Sequence, residues 1–293
     1  MMKCDQIFLR DGSVLHKNEL IDIQLVGGGC INDTSLWTFG DKRKVFVKEN
    51  LQAPKDFFAC ETRGLKLLSS IEDGPVVPQV LYCSETLLIL QYLPLISDSV
   101  LGDVDLAKRL ARLHSVPTQH FGGDQDNYIG MTKQINGIYH DGATFYREQR
   151  IVYLQEKARS LGLLPIHFDK HIDAICAKME QFCPEESPVV VHGDLWSGNW
   201  SFVVSDDGTP QSCIFDPAAY CGYRESDLAM MRLFGSLSSR FWDVYTTELP
   251  IQDGYERREL VFQLYHILNH VILFGTSYHR MLSNHISMIK AKT

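Results

Sequence analysis

A chain of 293 residues, 45% apolar and 22% charged, has the make-up of a soluble globular protein of one or two domains, which excludes a disordered or fibrous polymer. Its formal charge of −8, from 28 basic and 36 acidic residues with no basic block, lacks the footprint of a nucleic-acid binder. The start, MMKCDQIFLRDG, carries charges around its few apolar residues and so gives neither a signal peptide nor a membrane anchor, and the eight cysteines form no C-x-x-C pair, so reduced thiols in a cytoplasm are expected.

The first ninety or so residues read as sheet. "IDIQLVGGG", "DTSLWTFG" and "KVFVKEN" are short runs rich in β-branched and aromatic residues, divided by Gly27, Gly28 and Gly29 and by the turn GDKR at 40–43. Pro54 fits the first turn of a helix in which Phe57, Phe58, Glu61, Leu65 and Leu68 recur at helical spacing. "TLLILQYLP" is a further buried strand ending at Pro94, which places a lobe boundary there: residues 1–93 as a small sheet lobe with one helix, residues 94–293 as a larger, mainly helical lobe, an α+β fold. Helices are expected over 104–115, 144–162 and 257–275, with Leu106, Leu110 and Leu113 as core. Between the last two, the valine run at 189–191 and "QSCIFDPAAY" bracket a turn containing Asp206, Asp207 and Gly208, the pattern of a hairpin.

The stretch VHGDLWSGN at 191–199 ends the valine run without helical or strand period and is a loop leaving a buried strand. His192, Asp194 and Asn199 have the H-x-D-x-x-x-x-N spacing of a kinase catalytic loop, in which the Asp accepts the proton of the acceptor hydroxyl and the Asn holds magnesium. Asp216, in "IFDPA", is the carboxylate at a strand end that Mg²⁺ also requires. Singly, Asp216 reads as a turn before Pro217 and Asp194 as a loop residue bonding its own backbone; jointly they read as phosphoryl transfer. The chain has no G-x-x-x-x-G-K-[ST] loop, no G-x-S-x-G elbow at Ser197 and no glutamate to make H-E-x-x-H of His266 and His270, which read as satisfied core groups. Upstream, Gly27–Gly29, Lys48 and Glu61 stand in the order a kinase uses to cover the phosphates, contact them and hold the contacting lysine.

"HGDLWSGN", "FDPAAYCGYRESDLAMMRLFGS", "DNYIGMT" and "LNHVILFGTSYH" resemble the signature blocks of the fructosamine (ketosamine) kinases, in the protein-kinase-like superfamily with aminoglycoside and choline kinases. The resemblance runs from the glycine loop to about Tyr278 and implies a bilobal kinase-like fold. It implies Asp194 as catalytic base, Asn199 and Asp216 as metal ligands, and Lys48 with Glu61 as the phosphate-anchoring pair. Backbone groups of Gln91 and Leu93 would meet the adenine of ATP, His192 and Asp227 would support the catalytic loop, and Trp196 would wall the acceptor site. The implied reaction is ATP- and Mg²⁺-dependent phosphorylation of the 3-hydroxyl of a ketosamine, free or on a protein lysine, whose labile product sheds its amine; no nucleic-acid or membrane partner is expected. Cys30, closing the glycine loop beside an anion nest, is a candidate redox-sensitive thiol. Gly142 stands where the family has an aromatic residue and Lys133 where it has Pro, both in a segment expected to shape the acceptor pocket. The alternatives are a kinase for another hydroxyl compound, such as an aminoglycoside, choline or a sugar, and a nucleotide-binding module without turnover.

Overall fold

The computed structural model describes residues 6–27, 31–96, 100–235 and 237–292. In the first third, β1 (Gln6–Phe8) and β2 (Val14–His16) form a small ribbon beside a five-stranded antiparallel sheet. That sheet contains β3 (Leu20–Leu25), β4 (Asp33–Phe39) and β5 (Lys44–Glu49), then, after helix α1 (Phe57–Ser69), β6 (Val80–Cys83) and β7 (Leu87–Gln91), in the order β3-β4-β5-β7-β6. The 40–43 turn joins β4 to β5, and Asp41 fixes it by accepting the Arg43 N–H at 2.9 Å. Trp37, Phe39, Val45, Val47 and Ile89 bury one face of the sheet. Leu88 and Leu90 bury the other, against Phe57, Phe58 and Leu65 of α1. That helix begins after Asp56, not at Pro54: the Pro54 carbonyl accepts from Phe57 N in the turn that leads into it.

After β7 the chain passes Pro94 and at once pairs with the second part of the molecule, where Ile96 N donates to Phe202 O at 2.9 Å. Val76, earlier in the chain, makes a matching bridge to Cys213, with Val76 N on Ser212 O at 2.8 Å and Ile214 N on Val76 O at 2.9 Å. The first part is therefore joined to one hairpin of the second through Val76, and the segment leaving it is held on the same hairpin at Ile96.

The second part begins with α2 (Val100–His114), whose Leu106, Leu110 and Leu113 are buried as expected. Short strands β8 (Phe121–Gly123), β9 (Asn127–Ile129), β10 (Thr132–Gln134) and β11 (Gly137–Tyr139) follow. A long helix comes next: α3 (Gly142–Phe145), π-helical turns over Tyr146–Val152 and α4 (Tyr153–Ser160), then a separate α5 (Ile166–Cys176). Strands β12 (Val189–Val191), β13 (Trp200–Val204), β14 (Pro210–Ile214) and β15 (Tyr220–Gly222) precede α6 (Glu225–Leu233), α7 (Ser239–Glu248), α8 (Tyr255–Phe274) and α9 (His279–Ala291). The Asp206–Gly208 turn belongs to a hairpin, but its first strand is β13, pairing Trp200 with Ile214 and Val204 with Pro210. The valine run β12 pairs instead with β15, in a sheet ordered β11-β8-β15-β12. The physical reason is burial: all three valines are enclosed, whereas β13 ends at an exposed Val204, as a hairpin beside a polar turn does. The stretch from α8 to α9 is long and apolar enough to cross a membrane, but most side chains of α8 are buried in the protein's own core, against α6 and the π-helical segment.

Candidate active site

The loop between β12 and β13 has its shape imposed from three sides. Gly193 has φ +81°, and a Cβ there would lie 2.3 Å from the Ala218 carbonyl oxygen, so only glycine fits. His192 is buried; its Nε2 donates to Phe215 O at 2.9 Å, and its Nδ1 accepts from Asp194 N at 3.3 Å. One donor and one acceptor nitrogen describe a neutral imidazole, in keeping with burial lowering its pKa. From α6, the buried Asp227 carboxylate accepts the His192 and Gly193 amides at 2.7 and 2.8 Å, with His114 Nε2 at 3.3 Å. Burial works to raise the Asp227 pKa, but the hydrogen bond from His114 and the His192 backbone amide outweigh it and hold it below the usual carboxylate range. Asp227 thus holds the loop and does not cap its own helix, where Arg224 takes the cap position.

Asp194, Asn199 and Asp216 converge. Asn199 Nδ2 donates to Asp194 O at 2.8 Å and lies 3.4 Å from both Asp194 Oδ2 and Asp216 O. The donor end of the amide is used inside the loop, so its acceptor Oδ1 is the end left for a cation. Asp216, at φ 59°, takes a left-handed backbone that Asp tolerates better than most residues, and its carboxylate accepts from Lys48 Nζ. Lys48, buried on β5, also donates to Glu61 Oε1 of α1 at 2.5 Å. Burial opposes its charge, but Asp216 and Glu61 outweigh that and hold its pKa above the usual range. Burial, then the Asp216 and Asp227 carboxylates, push Asp194 up to about 7.

These groups line a cavity of about 550 Å³ between the sheet lobe and the helical part. On one side it is bounded by Ile31, Asn32, Thr34 and Lys48, on the other by Trp196, Phe234, His270 and Phe274. Residues 10–292 match the fructosamine kinase family model. The chain belongs to that family. A Vibrio parahaemolyticus protein assigned as a ketoamine kinase is 33% identical over 273 residues, 91% of each chain. The chloroplastic protein-ribulosamine 3-kinase of Arabidopsis thaliana is 32% identical over 93% of this chain and 85% of its own length. A crystal structure assigned as a fructosamine-3-kinase of Thermobifida fusca superposes with a TM-score of 0.84 at 28% identity, over 93% of this chain and 94% of that one. The fold is therefore the bilobal kinase-like fold of the fructosamine kinases.

Within that family frame, the remaining expected residues lie in different surroundings. Gly27 has open space around it, and Gly28, Gly29 and Cys30 lie outside the described residues. Gln91 and Leu93 do not line the cavity, and the Gln91 amide is committed to Gln79 O at 2.8 Å, so it cannot also serve an adenine. Trp196 lies on the cavity wall, 37% exposed, folded over Gly198. Neither Gly142 nor Lys133 reaches the cavity. The space beside Gly142 is filled by Tyr223 and Phe121, and Lys133 pairs with Asp126 at 3.0 Å; Asn127, Tyr128, Ile129 and Gly130 are the wall residues of that segment. The two histidines of α8 are not both satisfied: the buried His266 Nδ1 has no partner among the described residues, while His270, bonded to His266 O at 2.7 Å, joins the cavity wall beside Phe234 and Tyr278. Asn32 and Thr34 were missed, although polar side chains directly after a glycine run are a usable signal; Asn50 Nδ2 ties that segment down through Ile31 O at 2.9 Å and Asn32 Oδ1 at 3.1 Å.

Proposed function

We propose that the protein transfers the γ-phosphoryl group of ATP to the 3-hydroxyl of a ketosamine. The convergence of Asp194, Asn199, Asp216 and Lys48 on one cavity carries the reading. Asp194 orients the acceptor hydroxyl and takes its proton; a pKa near 7 suits that task at neutral pH. Lys48, aligned by Glu61, contacts the phosphates. Asn199 and Asp216 would hold Mg²⁺. Two hard oxygen ligands suit it, because phosphates and water complete its octahedron; a wholly protein-built cage is not required, and no group of three or more metal-binding side chains occurs among the described residues. When bound, the ion offsets charge on the transferring phosphoryl. The six described cysteines are all free thiols, which supports a reducing compartment such as the cytoplasm.

Among the described residues the cavity lining holds no carboxylate beyond Glu61, Asp194 and Asp216, which argues against a polycationic aminoglycoside. The names of the Vibrio and Arabidopsis relatives support a ketoamine, and the 3-phosphate of such an adduct is labile, so that phosphorylation leads to release of the amine. The test is turnover of ATP with Mg²⁺ on ribulose-, fructose- and erythrulose-derived amine adducts beside an aminoglycoside, choline and free sugars. Turnover on a ketosamine is expected; turnover on one of the others alone overturns the reading.

A further inference from the structure

The DNYIGMT segment lends Asn127 to Gly130 to the cavity wall, and the Asn127 amide, with those of Gln134 and Asn136 farther along the chain, is among the most enclosed polar groups of the protein. Asn127, Gln134 and Asn136 are 8%, 1% and 2% exposed. Gln134 Nε2 donates to Ala218 O at 2.9 Å and to Asn127 Oδ1 at 2.7 Å, and Asn127 Nδ2 donates to Ala219 O at 2.8 Å. Those carbonyls lie two and three residues beyond Asp216.

Behind this pair stands a second rank of donors. Asn136 Nδ2 donates to Asn127 Oδ1 at 3.1 Å, Arg150 Nη2 to Asn136 Oδ1 at 2.8 Å, and Tyr265 Oη to Gln134 Oε1. Arg150 is fully buried, lies 4.0 Å from the Tyr220 ring centre, and has donors but no acceptor. Asn136 must therefore turn its oxygen to Arg150 and its NH₂ to Asn127, and Asn127 must turn its NH₂ to Ala219. The amide orientations are set from the buried end, and apart from a branch from Asn136 Nδ2 to Gln125 O at 3.0 Å the bonds lead toward the carbonyls after Asp216.

The Ala218 peptide is gripped from both sides. Its N–H donates to His192 O at 3.0 Å, its carbonyl accepts from Gln134, and the same oxygen is the atom that a Cβ on Gly193 would strike. A shift of this peptide moves the catalytic loop and the Asp216 turn relative to each other.

We propose that this buried amide chain sets where the Asp216 carboxylate stands relative to Asn199, with Gln134 and Asn127 as positioning residues for the divalent cation. The inference rests on Asp216 and Asn199 being the metal ligands. Groups that orient ligands in this way are worth about 10- to 100-fold in metal affinity.

The experiment measures Mn²⁺ binding to the enzyme–ADP complex by the EPR signal of free Mn²⁺, together with metal-free ADP binding and thermal unfolding. Gln134→Met keeps the side-chain length but removes the donors; it is expected to weaken Mn²⁺ about tenfold while metal-free ADP binding stays within about twofold of wild type. Tyr265→Phe leaves both Gln134 donors in place but frees the amide to turn, and is expected to weaken Mn²⁺ by about threefold. A folded Gln134→Met with wild-type Mn²⁺ affinity overturns the inference, even if its melting temperature falls. Should Gln134→Met fail to fold, unchanged Mn²⁺ affinity in Tyr265→Phe overturns it. Absence of Mn²⁺ binding to the wild-type ADP complex would instead remove the metal assignment of Asp216 and Asn199 on which it stands.

Discussion

Asp194 differs from the other acidic residues of the loop region in what surrounds it. Burial, then two further carboxylates, raise its pKa, and among the described residues its carboxylate is met by Asn199 of the loop itself and lines the cavity. Asp194→Asn keeps the shape and removes the basic oxygen. We expect ATP binding within about twofold of wild type and kcat lower by about a thousandfold, read by isothermal titration and steady-state rates; near-native kcat would refute the assigned base. Gly193→Ala places a methyl against the Ala218 carbonyl at a positive φ, so it should both unfold at lower temperature, by about 2 kcal/mol or more, and lose turnover, as followed by denaturant melts and rates on the same sample. At this scale the sequence was legible where chemistry is local. His192, Asp194 and Asn199 lie within eight residues, and their spacing is itself the signal. His114, Asn127, Gln134 and Arg150 come from distant parts of the chain with no spacing of their own, and only the fold brings them to the loop.

Helix α6 acts on the catalytic loop through one side chain. Asp227 satisfies two buried backbone amides that would otherwise lack acceptors, and His114 of α2 leans on the same carboxylate. Asp227→Ala strands those donors and should cost about 3–5 kcal/mol in urea unfolding, with Asp227→Asn intermediate because it restores one acceptor oxygen. Equal stability of Asp227→Ala and wild type would show that the loop is held by other means. The elements themselves were largely readable: periodicity located α1, α2 and α8, and glycine- or Asp-rich turns divided the strands. Strand partners were less so, because a run of three valines says that a strand is buried but not against what; β12 found β15 across the sheet, while the nearer β13 took the hairpin. The π-helical turns between α3 and α4 left no mark on the hydrophobic period.

Across the whole molecule, burial decides how stability follows pH. Enclosure, then His270, lower the His266 pKa to about 3, with Asp227 opposing. The unfolded chain takes up a proton at this site below about 6.5 and the folded chain does not, so the contribution is full above that pH and is lost as pH falls toward 3. Raised carboxyl groups such as Glu225 and Glu259 act in the opposite direction, so the test is a difference between proteins. Between pH 7 and 5, wild type should lose about 2 kcal/mol more than His266→Leu in urea unfolding; parallel curves would mean that His266 is protonated in the folded state.

The stitching of Val76 and Ile96 onto the β13–β14 hairpin has a bearing on what can enter the cleft. Backbone bonds at that hairpin, and the Tyr128 hydroxyl on Asp56 at 2.9 Å, tie the sheet part to the second part on separate sides, so admitting an adduct carried on a bulky polypeptide would favour lysines on protruding, mobile segments over recessed ones.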